Sequence, residues 1–166
     1  MPTRVAVALL LALPAAAQIT ITLTGQSMLR SDLRETVPAA APIIRSLLQG
    51  DVIFTNFEAA IAERGESVSE GRGFLSPPEV FDALKTLGFN LLALSDNHAF
   101  DLKTTGIRNT IREANARNIV HAGIGNNLSE AAAPAYLRTP NGIVALVASA
   151  SGLMARAPTL PRTAPA

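Results

Sequence analysis

Three short polar clusters in this sequence each follow an apolar run that is typical of a β-strand. In chain order the clusters are Gly25-Gln26-Ser27, Asn56 with Glu58, and Asp96-Asn97-His98. Carboxylate, carboxamide and imidazole groups are side chains that bind hard or borderline divalent cations. A histidine beside a metal can also protonate a leaving oxygen. The clusters therefore suggest metal-assisted chemistry, provided that the fold brings them together.

Each cluster by itself also has a purely structural explanation. Asparagine and aspartate at the end of a strand commonly cap the next helix or form a turn. The joint pattern is stronger than any one cluster, because three strand ends carry polar residues of the same kinds. The only other histidine, His121, lies within a predicted strand and is interpreted as structural.

Apolar runs and helical patterns alternate along most of the chain. Strands are predicted at 19–25, 52–57, 90–95 and 119–124, helices at 38–49, 79–88 and 104–117, and a hairpin of two strands at 134–149. Such alternation predicts an α/β architecture with right-handed crossovers and a largely parallel sheet. Because ligands bind beyond the carboxyl ends of parallel strands, the three clusters are expected at one edge of the sheet.

Composition limits the class of protein. The chain has 166 residues, of which 48% are hydrophobic and 16% charged, so it can bury the core of a single domain. A net charge of +1 gives no electrostatic case for binding nucleic acid or an acidic membrane surface. The absence of cysteine excludes disulfides, thiolate metal sites and cysteine nucleophiles.

The two ends of the chain differ from its centre. Residues 1–17 combine Arg4, a short apolar run and an alanine-rich cleavage site, which predicts a signal peptide and export to the periplasm or cell surface. The alternative is an uncleaved N-terminal anchor, but the run is short for a membrane span, so no stable span is expected after cleavage. Residues 151–166 are rich in proline and alanine, and an irregular tail is expected there.

Several motifs together resemble the CapA family, the poly-γ-glutamate capsule synthesis proteins. "TNFEAAI" resembles the family's Asn-Leu-Glu motif, and "ALSDNHAFD" resembles its Asn-Asn-His motif with the aspartate that follows. "HAGIGNNLSEAAAP" resembles a glycine-containing stretch that runs up to a proline, and "ITLTGQSMLR" stands where the family has a strand ending in Gly-Asp. The resemblance covers about residues 19–149.

The family is similar to the calcineurin-like metallophosphoesterases, and this likeness implies a metallophosphoesterase-like β-sandwich flanked by helices, with two divalent metal ions at the strand ends. The ions would be Mn, Fe, Zn or Mg. By this resemblance Glu58 and Asn97 would be metal ligands, Gln26 would occupy the position of the family's ligand aspartate, and His98 would be the proton donor. Asp101 would either support the site from behind or cap the following helix, and the cap is favoured.

The chain departs from the family's pattern at three positions. Gln26 replaces the aspartate, Asp96 replaces the first asparagine of Asn-Asn-His, and Lys103 stands where the family has glycine. Gln26 is neutral and a weaker ligand for a hard cation, so the site loses a charge. Gly50-Asp51 has the same residues as the family's Gly-Asp motif, but it precedes a strand instead of ending one. It is therefore interpreted as a turn.

Family members continue past residue 150, and their later strands bring further histidines to the metal site. We therefore expect residues 18–150 to be the N-terminal portion of a CapA-like domain, truncated at its C-terminus. The sandwich would then be incomplete and would leave apolar sheet surface uncovered.

Three functional hypotheses follow, and the sequence leaves open whether the chain is an enzyme. The first is an exported CapA-like protein with metal-dependent phosphoesterase-type chemistry, whose partners are an envelope polymer or the capsule synthesis machinery. The second is a non-catalytic, truncated CapA-like fragment that lacks the C-terminal metal ligands. The third is an unrelated periplasmic binding or structural domain.

Overall fold

The computed structural model describes residues 18–67 and 73–151, so the predicted signal peptide and all but the first residue of the predicted tail lie outside the described residues. Its elements are β1 (Ile21–Ser27), α1 (Leu33–Thr36), α2 (Ala40–Leu47), β2 (Val52–Phe57), β3 (Ala60–Ile61), β4 (Leu75–Ser76), α3 (Val80–Leu87), β5 (Leu91–Ala93), α4 (Lys103–Ala116), β6 (Val120–Ala122), α5 (Leu128–Ala132), β7 (Ala135–Thr139) and β8 (Gly142–Leu146).

A four-stranded parallel sheet forms the centre of the fold. Its strand order is β1-β2-β5-β6, and every neighbouring pair is parallel. Consecutive strands of this sheet are connected through segments that contain helices, as parallel pairing requires. The predicted α/β class, with a parallel central sheet and flanking helices, is therefore confirmed, and it is consistent with a metallophosphoesterase-like fold.

The main hydrophobic core lies between one face of this sheet and the helices. Alternate residues of β2 enter this core, while β5 is buried on both of its faces. The rings of Phe57 and Phe81 join strand to helix, with their centroids 4.8 Å apart. Helix α3 follows two prolines and ends at Gly88, whose φ of +101° closes the helix in the left-handed conformation. Proline and glycine thus limit α3 as the sequence predicts.

Three local features differ from the sequence prediction. The polar segment before residue 38 contains the short helix α1, because the Asp32 side chain accepts a hydrogen bond from the Arg34 backbone N–H and caps it. Strands β3 and β4 form a separate two-stranded parallel sheet of only two residue pairs, which is too short to show a period in the sequence. Helix α5 is likewise short and is capped by Asn127.

The β7–β8 hairpin is antiparallel, as predicted, and lies beside β6. The Asn141 side chain at its turn donates a 3.0 Å hydrogen bond to Asp51, which itself precedes β2 as a turn residue. Outward residues of the hairpin include Tyr136 and Ile143, both exposed, and Leu23 of edge strand β1 is 71% exposed. The described part of the chain thus carries exposed apolar side chains on both the hairpin and β1. None of its helices is both long and apolar enough to cross a membrane.

Lys103 begins α4 with a φ of +55°, in the left-handed region that costs a residue with a Cβ about 1–2 kcal/mol. The Lys103→Gly variant is therefore expected to raise the free energy of unfolding by about 0.5–1 kcal/mol, since glycine adopts this conformation without strain but loses more chain entropy. Urea denaturation measures the gain. Lys103→Ala is the matched control, because it removes the side chain and keeps the Cβ; an equal gain in both variants would contradict relief of backbone strain.

Candidate metal centre

The polar clusters lie at or just beyond the carboxyl ends of the adjacent strands β1, β2 and β5. Gln26 and Asn56 are paired in register across β1 and β2, and Asn56 is paired in turn with Ala93 of β5. The backbone N–H of Glu58 donates a 3.2 Å hydrogen bond to the Ser27 carbonyl, which extends the pairing beyond β2. All three clusters therefore lie at the same edge of the parallel sheet, because the strands run in the same direction.

The cluster after β5 is folded into a tight turn by Asp96. Its Oδ1 accepts hydrogen bonds from the backbone N–H groups of His98 at 2.7 Å and Ala99 at 2.8 Å. The turn buries Asp96, which is 7% exposed, and leaves Asn97 exposed at its corner. Asp96 thus forms a turn, as an aspartate at the end of a strand often does. Only its Oδ1 takes part in the turn.

His98 is held by Asp101 three residues later. The distance from His98 Nδ1 to Asp101 Oδ2 is 2.7 Å, and the same oxygen accepts a 2.6 Å hydrogen bond from the Phe74 backbone N–H. Because an ionised carboxylate only accepts, Nδ1 carries the hydrogen, and Nε2 is the nitrogen with which His98 can exchange a proton. Helix α4 has no side-chain cap, so the favoured interpretation of Asp101 as a helix cap is wrong. Asp101 supports His98 instead.

Three carboxylate or carboxamide oxygens at this edge are buried without a hydrogen-bond donor among residues 18–67 and 73–151. They are Asn56 Oδ1, Glu58 Oε2 and Asp96 Oδ2, and the hydroxyl oxygen of Ser95 is likewise buried without a partner among these residues. Burying a polar atom without a partner costs free energy, so such atoms call for a ligand or another explanation. Glu58 is 6% exposed and Asp96 is 7% exposed, so both residues are buried.

The two buried carboxyl groups influence each other. Burial raises the pKa of Asp96 to about 6, and the negative charge of Glu58 acts in the same direction, against the two backbone hydrogen bonds and the charge of His98. Two like charges held close together in a buried site favour a bound cation or a proton between them. The chemistry of this edge therefore fits a divalent cation.

The ligand chemistry also limits the kind of cation. Within the described ranges, no three histidine, cysteine, aspartate or glutamate side chains are grouped closely enough to hold a metal ion. The buried set consists instead of two carboxylates and one carboxamide. An all-oxygen set of this kind suits a hard cation such as Mg²⁺ or Mn²⁺ better than Zn²⁺.

The four site residues predicted from the sequence differ in how deeply they are buried at this edge. Glu58 is buried, His98 is half-buried, and Gln26 and Asn97 are exposed. The sequence interpretation did not choose the side chains of Asn56 and Asp96 as ligands, although both lie in the polar clusters. His121 lies in β6, where its Nε2 is 3.2 Å from Asn115 Oδ1 and burial lowers its pKa, in keeping with a structural role.

Comparison with known proteins places the chain in a family. The profile of the family described as bacterial capsule synthesis protein PGA_cap matches residues 20–164. Two uncharacterised proteins of Sinorhizobium fredii (strain NBRC 101917 / NGR234), y4sH and y4uA, are each 34% identical over 120 residues, which are 69% of this chain and 26% of the relative. The matched region thus spans about a quarter of these relatives. The chain belongs to the bacterial capsule synthesis family that includes the CapA-like proteins.

Proposed function

We propose that this chain acts, after export, in the synthesis of a capsule or envelope polymer, and that it does so with a divalent cation bound at the ends of β2 and β5. Poly-γ-glutamate is the polymer that the family resemblance implies. The observation that carries the proposal is the group of three buried oxygens that have no hydrogen-bond donor among the described residues, on Asn56, Glu58 and Asp96. Partners of the chain would be the polymer or other capsule synthesis proteins.

Glu58, Asp96 and Asn56 would hold the cation, with Gln26 and Asn97 at the exposed rim. A bound Mn²⁺ or Mg²⁺ would polarise a phosphate or carbonyl oxygen of the substrate. The role of His98 follows from its own contacts. Asp101 fixes the ring through Nδ1, so Nε2 can take a proton from water and then deliver it to a leaving oxygen, which returns the ring to its neutral Nδ1–H form. This chemistry is of the phosphoesterase type.

A non-catalytic, CapA-like fragment is the second candidate function. It is favoured because the buried side chains at this edge, among the described residues, supply only two carboxylates and one carboxamide to a cation. Such a chain would bind a cation weakly and would not turn over substrate. Hydrolysis of a generic phosphodiester by the Mn²⁺-loaded protein, compared with its His98→Ala variant, separates the two candidates.

Export is part of the proposal because of residues 1–17, which lie outside the described residues. If the segment is a signal peptide, N-terminal sequencing of the secreted protein is expected to begin near Gln18. A mature protein that still begins with Met1 would contradict cleavage.

The Gln26→Asp variant tests whether the strand ends form a metal site. It is expected to bind Mn²⁺ about tenfold more tightly than the original chain in titration calorimetry, because a carboxylate is the better ligand for a hard cation. Asn118→Asp is the matched control, since it adds the same charge to the exposed turn before β6 at the opposite end of the sheet. His98→Ala should leave the affinity nearly unchanged. Equal affinity in the original chain and Gln26→Asp would argue against a metal site at this edge.

A further inference from the structure

Arg30 and Phe74 form a fixed pair beside His98. The Phe74 backbone is held on both sides, since its N–H donates to Asp101 and its carbonyl accepts a 3.0 Å hydrogen bond from the Ala60 N–H. The segment that carries Arg30 is attached to the same place, because the Ser76 hydroxyl donates to the Leu29 carbonyl. The loop after β1 and strand β4 are therefore joined directly next to the candidate metal centre.

The side chains of the pair are stacked. The Arg30 guanidinium carbon lies 4.0 Å from the centroid of the Phe74 ring, and this ring is 6.0 Å from the His98 ring, centroid to centroid, at an interplanar angle of 57°. The guanidinium carbon is therefore within about 10 Å of the imidazole centroid. A substrate that reaches His98 would have its neighbouring groups in reach of Arg30.

The contact with the ring is made by the guanidinium carbon, and it uses none of the hydrogen-bonding capacity of the group. The five N–H donors lie along the edges of the planar guanidinium. Arg30 is exposed, and it forms no ion pair or hydrogen bond through its side chain with any residue in the described ranges 18–67 and 73–151. A guanidinium that is positioned by a ring and has no hydrogen-bond partner within the described ranges matches the geometry of a carboxylate or phosphate.

We propose that Arg30, positioned by Phe74, recognises an oxyanion of the substrate next to the group on which His98 acts. This inference rests on the proposed function and deepens it, because it names the residue that binds an anionic group of the substrate. Without a bound cation, Glu58, Asp96 and Asp101 make this edge of the sheet acidic, so an anion that binds the metal-free protein needs a cationic group to offset their repulsion. The shared chemistry of the ligand is a two-oxygen anion, either the carboxylate of an acidic polymer or a phosphate.

The test measures anion binding separately from metal binding. The full chain, treated with EDTA, is titrated with glutarate and with inorganic phosphate while ¹H–¹⁵N NMR spectra are recorded. Arg30→Gln is expected to weaken binding of the recognised anion about tenfold, since a charge-assisted pair is lost. Arg30→Lys should recover only part of the affinity, because an ammonium group cannot form the bidentate contact. Arg138→Gln, an exposed arginine on β7, is the control for net charge.

The outcomes separate the sources of the anion. Arginine-dependent binding of glutarate alone supports a carboxylate polymer, and arginine-dependent binding of phosphate alone supports a phosphorylated substrate. Unchanged binding in Arg30→Gln, or an equal loss in Arg138→Gln, would overturn the proposal. Titration with Mn²⁺ is run in parallel and should be unaffected by Arg30→Gln. If Mn²⁺ fails to bind while the arginine-dependent anion binding persists, the metal-dependent function fails and the recognition by Arg30 stands.

Discussion

The Asp96→Asn variant is expected to bind Mn²⁺ about a hundredfold more weakly than the original chain and, without metal, to be the more stable protein. Both effects come from the same oxygen. Asp96 Oδ2 is buried without a hydrogen-bond donor among the described residues, close enough to Glu58 for that charge to raise its pKa. Asparagine keeps an Oδ1 acceptor for the turn but removes the negative charge, so the site loses a ligand and the metal-free protein loses a buried repulsion.

The sign of the stability effect follows from the direction of the pKa shift. The carboxyl group of Asp96 has a pKa of about 6 in the folded protein, above the value of 3.8 for an unperturbed group. The folded state therefore holds its proton more tightly, and ionisation of Asp96 lowers the free energy of unfolding as the pH rises from about 4 to 6. Above that range the cost is less than about 3 kcal/mol, since a pKa of about 6 instead of 3.8 sets the upper limit and solvent reduces it.

Urea denaturation in EDTA at pH 4 and pH 8 measures the stability of the two proteins. The gain of Asp96→Asn should be present at pH 8 and absent at pH 4. Asp51→Asn is the matched control, and it is expected to lower the free energy of unfolding at pH 8 where Asp96→Asn raises it. The reason is that hydrogen bonds from Thr20 and Asn141 lower the pKa of Asp51. A loss of stability in Asp96→Asn at pH 8 would show that its carboxylate is favourable in the folded protein even without a cation.

Titration with Mn²⁺ compares how much the buried Asp96 and the exposed Asn97 each contribute to the affinity for the metal. Asn97→Ala removes the ligand that the family resemblance implies, but its side chain is exposed at the corner of the turn. We expect Asn97→Ala to weaken binding less than Asp96→Asn does. The reverse order would favour the sequence-based ligand set over the buried oxygens of Asn56, Glu58 and Asp96.

The Asp101→Asn variant is expected to lower any metal-dependent phosphodiesterase activity by about 10²- to 10⁴-fold with little change in Mn²⁺ affinity. Asp101 Oδ2 accepts from both His98 Nδ1 and the Phe74 N–H, so it holds the ring and the neighbouring loop at once. An uncharged amide satisfies these two donors less well and allows the other tautomer of His98. The free energy of unfolding should also fall, by about 1 kcal/mol, because two half-buried donors lose their charged acceptor.

Two measurements distinguish a positioning role of Asp101 from a merely structural one. Long-range ¹H–¹⁵N NMR of His98 reports which ring nitrogen carries the hydrogen, and the Nδ1–H form should dominate only in the original chain. Activity of the double variant with His98→Ala should be no lower than that of His98→Ala alone, since both changes affect the same proton transfer. Additive losses would contradict the coupling of Asp101 to His98.

Much of the fold follows from short-range patterns in the sequence. Strand β2 and helix α3 are delimited by apolar runs, by two prolines and by Gly88, which act through local backbone preferences. The strands β1, β2 and β5 are parallel and run in the same direction. The sequence therefore predicts that the polar clusters at their carboxyl ends lie at the same edge of the sheet. The family, too, could be identified from the order of its motifs, since short motifs depend on residue identity alone.

The identity of the buried oxygens is decided by tertiary structure. Asp96 and Asn97 are neighbours in the chain with similar side chains, and only the turn that packs on the core puts the first inside and leaves the second exposed. Asp101 supports His98 because its carboxylate is also bound by Phe74, which is 27 residues away and follows a segment without periodicity. The stacking of Arg30 on Phe74 depends in the same way on distant segments that meet only in the folded chain, so no local pattern predicts it.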